Sequence, residues 1–105
     1  MPKADRGSVW IVDLGFAGKN RAALILNGPL QPTDRALYTI VPATTSLVGT
    51  RHEIAINPRF LKKRGAFDVQ QIQTISSAKL MHRVGDLTSQ EFALIETAVR
   101  AWLGL

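Results

Sequence analysis

Apolar and polar positions alternate in short bursts over the first two thirds of the chain. Ser8–Leu14 (SVWIVDL) and Arg21–Asn27 (RAALILN) are apolar runs of strand length joined by the glycine-containing loop Gly15–Asn20, and their spacing predicts a hairpin or a near relative of one. Arg35–Ser46 follows the turn sequence GPLQPTD, and His52–Asn57 follows LVGTR, so four strands are expected by residue 57. Connections this short imply a small barrel or two packed sheets.

After Asn57 the pattern changes. Pro58–Ile75 (PRFLKKRGAFDVQQIQTI) contains two further short candidate strands around a turn at Gly65, and Ser76–Gly85 (SSAKLMHRVG) reads as a short helix closed by Gly85. The final segment, Leu87–Leu105, carries the clearest helical signal. Thr88 with Glu91 three positions on matches a capping box; Phe92, Ile95, Val99 and Trp102 recur on one face, read as core; Gly104 supplies the stop.

Composition narrows the chemistry. With 105 residues and no internal repeat, low-complexity tract or linker, the chain reads as one domain spanning 1–105. The absence of cysteine removes disulfides, thiolate metal sites and a Cys nucleophile, and favours a reducing, cytoplasmic setting. No apolar run approaches the ~20 residues of a membrane span, and no signal-peptide pattern opens the chain. The two histidines, His52 and His82, are far apart and lack partners at ligand spacing, so neither a metal nor another cofactor is expected. Thirteen Lys and Arg against eight Asp and Glu give a formal charge of +5, which points to a polyanionic partner such as RNA or DNA.

The question is then what a cation is doing on the lip of a core strand. Arg21 precedes the uninterrupted apolar run Ala22–Leu26, and it belongs to a set of basic and hydroxyl-bearing residues at strand ends: Thr44, Thr45, Ser46, Arg51, His52 and Glu53. Cleaving a phosphodiester without a metal requires a group to take the 2′-OH proton, another to protonate the leaving oxygen, and donors for the charge on the phosphoryl oxygens. Arginine offers a planar fork of donors and hydroxyls add orienting hydrogen bonds. Lys62, Lys63 and Arg64 form a second cationic run suited either to a solvated turn or to tracking phosphates.

The order of segments carries more information than any one residue. RGSVWIVDLG at Arg6–Gly15, an Arg opening the second strand in NRAALILN, then TIVPATTS, GTRHEIAI, FDVQQIQTI and KLMHRVGDLTSQEFALIETAVRAWLGL together resemble the PemK/MazF family of toxin endoribonucleases, from about Arg6 to the C-terminus. The resemblance implies a mainly β (α+β) fold, a small SH3-like β-barrel with a C-terminal α-helix. It also implies a cytoplasmic homodimer, metal-independent cleavage of single-stranded RNA at short motifs to 2′,3′-cyclic phosphate and 5′-OH ends, and silencing by a cognate antitoxin protein. By the same resemblance Arg21 matches the family's phosphate-contacting Arg and Thr44 its catalytic Thr. A guanidinium is a poor base at neutral pH, so Arg21 is read as a phosphate clamp and charge stabiliser.

Two departures accompany the match. Ala22 stands where the family usually has Pro, and Gln70 and Gln73 stand where many members have an acid and a second Arg. Asp68 and Glu53 are therefore the candidate assisting carboxylates, and Lys19, Thr45, Ser46, Arg51, Lys62, Lys63, Arg64, Gln70 and Gln73 the candidate RNA contacts. Two other functions stay open on sequence: a binding or antitoxin-sequestering homologue with weakened catalysis, and a gyrase-inhibiting toxin of the same fold that would act through the C-terminal helix.

Overall fold

The computed structural model describes residues 3–15 and 20–105. Seven strands and one helix follow in order: β1 (Ser8–Asp13), β2 (Asn20–Ile25), β3 (Leu37–Thr44), β4 (Glu53–Ile54), β5 (Ala66–Asp68), β6 (Gln73–Ser76), β7 (Leu80–Asp86) and α1 (Ser89–Leu103). All pairings are antiparallel. The sheet runs β4-β5-β3-β2-β1-β7, with β6 also on β3. It is an antiparallel β fold with one C-terminal helix, and its hydrogen-bonded path is open, with β4 and β7 as end strands.

The long strand β3 organises the rest. One of its edges pairs with β2 from Ile25↔Ile40 to Ala23↔Pro42. The other is shared between two partners, β6 from Leu37↔Ser76 to Ile40↔Gln73 and β5 at Ala43↔Phe67 and Thr44↔Ala66. Pro42, which has no N–H to give to a ladder, falls in the gap between those two partners. The strand thus delivers Thr44 to the place where β5 takes over.

Both faces of the β1–β2–β3 meander are covered, which explains why these strands read as nearly continuous apolar runs. Trp10, Val12, Ala23, Ile25, Tyr38 and Ile40 fill one face with Ile75 and Leu80; Val9, Leu24 and Val41 fill the other with Phe67, Val69, Ile95 and Val99. Trp10 is buried in the core and its indole N–H donates to Ser8 Oγ at 3.1 Å.

The helix follows the sequence signals closely. Thr88 Oγ1 accepts from the Glu91 N–H at 3.1 Å, Glu91 Oε1 accepts from the Thr88 N–H at 2.8 Å, and Gly104 closes the helix in the left-handed conformation at φ +74°. Trp102 departs from the core expectation. It lies 40% exposed, past the packed part of the helix face, with its ring edge-on to His52 at 5.0 Å between centroids.

Three other expectations are corrected. Ser76–Gly85 is not a helix: only Ser77–Lys79 makes a 3-10 turn, capped by Ser76, and Leu80–Asp86 is a strand paired with β1. Register shifts at Val9/Trp10 and Ile11/Val12 break the period-two alternation that would have marked β7 as a strand. The two strands expected around Gly65 are present as β5 and β6, but both follow that glycine and the chain just before it forms none. The strand expected at His52–Asn57 is reduced to the two residues of β4.

Candidate functional site

Arg21 is the second residue of β2, opposite Val12 of β1, and only its successors turn into the core. Its side chain is left at the strand's outer end, where it lines an open groove of about 540 Å³. The end of the neighbouring strand β3 and the chain after it, Thr44, Thr45 and Ser46, also line it, together with Ile56, Asn57, Leu61, Lys62 and Lys63. Among the described residues, three cations line this groove and no carboxylate does.

Two backbone features hold the walls together. Thr44 Oγ1 accepts the Ser46 N–H at 3.1 Å, a local turn that fixes the hydroxyl at the groove's edge while Thr44 itself is buried. Gly65 passes so close that a Cβ there would lie 2.1 Å from the Thr44 carbonyl oxygen, and its N–H is held by Asn57 Oδ1 at 2.8 Å. The Lys62–Lys63 segment is thereby fastened against Thr44 at one end.

The candidate carboxylates sit elsewhere. Asp68 ends β5 and is buried; Oδ1 accepts the Gln70 N–H at 3.0 Å, capping a 3-10 turn over Val69–Gln71, and Oδ2 accepts from Gln71 Nε2 at 3.1 Å. Side chains three apart eclipse in a 3-10 turn, which is why Asp68 and Gln71 meet. Gln71 Oε1 in turn receives Arg21 Nη1 at 3.4 Å. Asp68 is thus connected to Arg21 through an amide and does not line the groove.

Glu53 is committed to a loop. Its carboxylate accepts the N–H groups of Val48 (2.8 Å), Gly49 (2.6 Å) and Thr50 (3.0 Å). The Val48 N–H leads in holding this carboxyl below the ordinary carboxylate range, against the desolvation that would raise it, with Gly49 and Thr50 adding to the effect. A pKa depressed in the folded state means that the contribution to loop order is present above the unfolded value and lost as pH falls through the folded one. The amide resonances of Val48, Gly49 and Thr50 are expected to shift together in one acid titration step with a midpoint below that of a free Glu. In Glu53→Gln that step should vanish, and its persistence there would contradict the assignment.

Of the remaining sequence candidates, Thr45, Ser46, Lys62 and Lys63 converge on the groove, whereas Arg51, Arg64, Gln70 and Gln73 are exposed and outside its lining. Arg51 Nε donates to His52 Nε2 at 3.4 Å, and Gln73 Nε2 donates to the Gln71 carbonyl at 3.3 Å. Lys19 lies outside the described residues. Asn57 and Gln71 are site residues that the sequence reading does not single out; the signal that could have found Gln71 is its position three residues after an Asp at a strand end. Among the described residues no group of three or more His, Cys, Asp or Glu side chains could hold a metal ion, and no helix is long and apolar enough to cross a membrane.

Comparison with known proteins places this geometry in a family. The profile described as PemK-like, MazF-like toxin of type II toxin-antitoxin system matches residues 5–103. The probable endoribonuclease MazF5 of Mycobacterium tuberculosis is 25% identical over 96 residues, covering 90% of this chain and 87% of that one. Among solved structures, an endoribonuclease in complex with its cognate antitoxin from a mycobacterial species is 26% identical, with a TM-score of 0.82 over 97% of this chain and 96% of that one. MazF from Deinococcus radiodurans, at 14% identity, shares the fold over the full length of both chains with a TM-score of 0.83. With nearly its whole length matched, the chain belongs to the PemK/MazF family of type II toxin-antitoxin toxins.

Proposed function

We propose that this protein is the toxin of a type II toxin-antitoxin pair and a metal-independent endoribonuclease acting on single-stranded RNA in the cytoplasm, as a homodimer neutralised by a cognate antitoxin. The observation that carries the reading is the groove that Arg21 and Thr44, at neighbouring ends of the paired strands β2 and β3, line together, with three cations and no acid among the described residues that line it. Such a lining suits a phosphate chain and repels none of it. The names of the relatives, an endoribonuclease MazF5 and an endoribonuclease bound to its antitoxin, support both the activity and the partner. We further read the sheet as a variant of the SH3-like barrel, since the continuous run β6–turn–β7 borders both β3 and β1.

In this reading the 2′-oxygen attacks the adjacent phosphorus, the O2′–P bond forms as the P–O5′ bond breaks, the 2′ proton leaves to solvent and the 5′ oxygen is protonated. A 2′,3′-cyclic phosphate and a 5′-OH result. Arg21 donates to the phosphoryl oxygens as charge gathers on them, and the Thr44 hydroxyl orients the phosphate or the nucleophile. Asp68 and Glu53, both standing off the groove, hold other groups in place.

The test is incubation of a long single-stranded RNA with purified protein in EDTA, wild type beside Thr44→Ala, with end-group analysis. Discrete fragments ending in cyclic phosphate, lost in Thr44→Ala, are expected. Intact RNA from a folded protein that still binds it would favour the binding-only reading, to which a groove lined by cations without an acid among the described residues lends weight. Binding itself should show the cationic rim: on a non-cleavable all-2′-deoxy oligonucleotide, Lys62→Ala and Lys63→Ala should each reduce the slope of log K against log salt by about 0.7. Unchanged slopes would remove these lysines from the interface.

A further inference from the structure

We propose that Asp68 and Gln71 are positioning residues for Arg21, with the buried carboxylate setting which end of the Gln71 amide faces the groove. The proposal rests on the ribonuclease reading only for its kinetic consequence; the arrangement of the three side chains stands by itself. Asp68 is 8% exposed and acceptor-only, with both oxygens engaged: Oδ1 by the Gln70 N–H at 3.0 Å and Oδ2 by Gln71 Nε2 at 3.1 Å. An amide that gives its NH2 to Asp68 must turn its carbonyl the other way. That carbonyl meets Arg21 Nη1 at 3.4 Å, so a guanidinium that extends from a strand end gains an acceptor on its flank.

The polarity matters because the Arg21 guanidinium has five donors and no acceptor, and an amide NH2 turned towards it would also offer only donors. With the amide reversed, donor would oppose donor and the guanidinium would be pushed off its line. The backbone fixes the direction of the whole chain of bonds. The Gln70 N–H can only donate, so whatever occupies Asp68 Oδ1 must accept, and the other atom of that side chain then dictates Gln71.

This gives a reciprocal test. In Asp68→Asn, the new carbonyl oxygen keeps the cap on Gln70 while the new NH2 faces Gln71, which reverses the amide and turns its NH2 to Arg21; asparagine is as good a capping residue as aspartate, so the turn survives. In Gln71→Glu, an acceptor still faces Arg21 but a carboxylate now opposes the Asp68 carboxylate. In the double variant the introduced asparagine NH2 donates to one oxygen of the introduced glutamate and Arg21 donates to the other, so the chain of bonds is restored with the charge moved by one link.

Each single substitution is therefore expected to lower kcat about ten-fold with a smaller change in KM, and the double variant to recover to within about two-fold of wild type. The kinetics are read beside NMR of the Arg21 guanidinium, whose Nε and Nη protons should exchange and rotate slowly in wild type and the double variant and fast in either single one. Losses that multiply in the double variant, or a guanidinium signal unaltered across all four proteins, would overturn the proposal. If the wild-type protein leaves RNA intact, the ribonuclease reading fails by itself and the guanidinium signal alone decides the positioning pair.

Discussion

Arg21→Ala is expected to lower RNA cleavage at least ~100-fold while weakening binding to a non-cleavable oligonucleotide only a few-fold. The asymmetry follows from where the residue stands. Lys62 and Lys63 also line the groove and attract the phosphate chain in the ground state, so removing one cation of three leaves most of the attraction. What the remaining two do not replace is a planar fork aimed at oxygens whose charge grows during displacement, and a donor set of that kind contributes about 3 kcal/mol in a transition state. The same substitution leaves the core intact, because the residues of β2 that fill it are Ala23, Leu24 and Ile25. Measured kcat and Kd for wild type and variant decide the matter: equal losses in both would make Arg21 a binding residue, and no loss in either would move the reaction elsewhere.

Gly65→Ala is expected to damage stability and site together. The added Cβ would lie 2.1 Å from the Thr44 carbonyl oxygen, 3.0 Å from its carbonyl carbon and 3.2 Å from the Thr45 Cα. All three are backbone atoms, so no side-chain rotation relieves the clash. The strands must part where Thr44 pairs with Ala66, and the Asn57 bond to the Gly65 N–H goes with them. A cost of about 3 kcal/mol, read as a fall of about 15 °C in Tm, is expected for a domain of this size. Below that Tm the variant should also bind RNA less well, because Lys62 and Lys63 are no longer fastened to the wall that carries Thr44. A Tm within about 2 °C of wild type would show that the approach of the two chains is not needed.

What is legible in the sequence divides along physical lines. The helix α1 is readable because its determinants are local: Thr88, Glu91 and Gly104 each act within a turn of themselves. The strands β1 to β3 are readable because a meander pairs near neighbours. By contrast β7 reads wrongly as a helix, since its partner is about 70 residues away and an edge strand with Met81, His82 and Arg83 all exposed has no alternating face. Gly85, which resembles a helix stop, is instead a place where the Phe60 ring lies 2.4 Å from where a Cβ would be.

The site divides in the same way. Arg21 and Thr44 can be picked out by the company they keep along the chain, because a cation before an apolar run and a hydroxyl cluster at a strand end are local patterns. The role of Glu53 cannot, since it depends on the Leu47–Thr50 loop folding back to place three N–H groups on one carboxylate. Nor can that of Gln71, a neutral side chain whose meaning comes only from the partners on either side of it.

The run from β6 through Ser77–Lys79 to β7 touches β3 at one end and β1 at the other, so the earliest strand of the chain completes its ladder with one of the last. During synthesis β1 and β2 can form their hairpin early, but Ser8–Asp13 keeps an unpaired edge until Leu80–Asp86 has been made, and Arg21 waits for Gln71. Contacts of such wide sequence separation form late and slowly. The second ladder of β1 and the acceptor beside Arg21 are therefore both supplied by residues some fifty or more positions further along the chain, so neither can form before that later segment has been made.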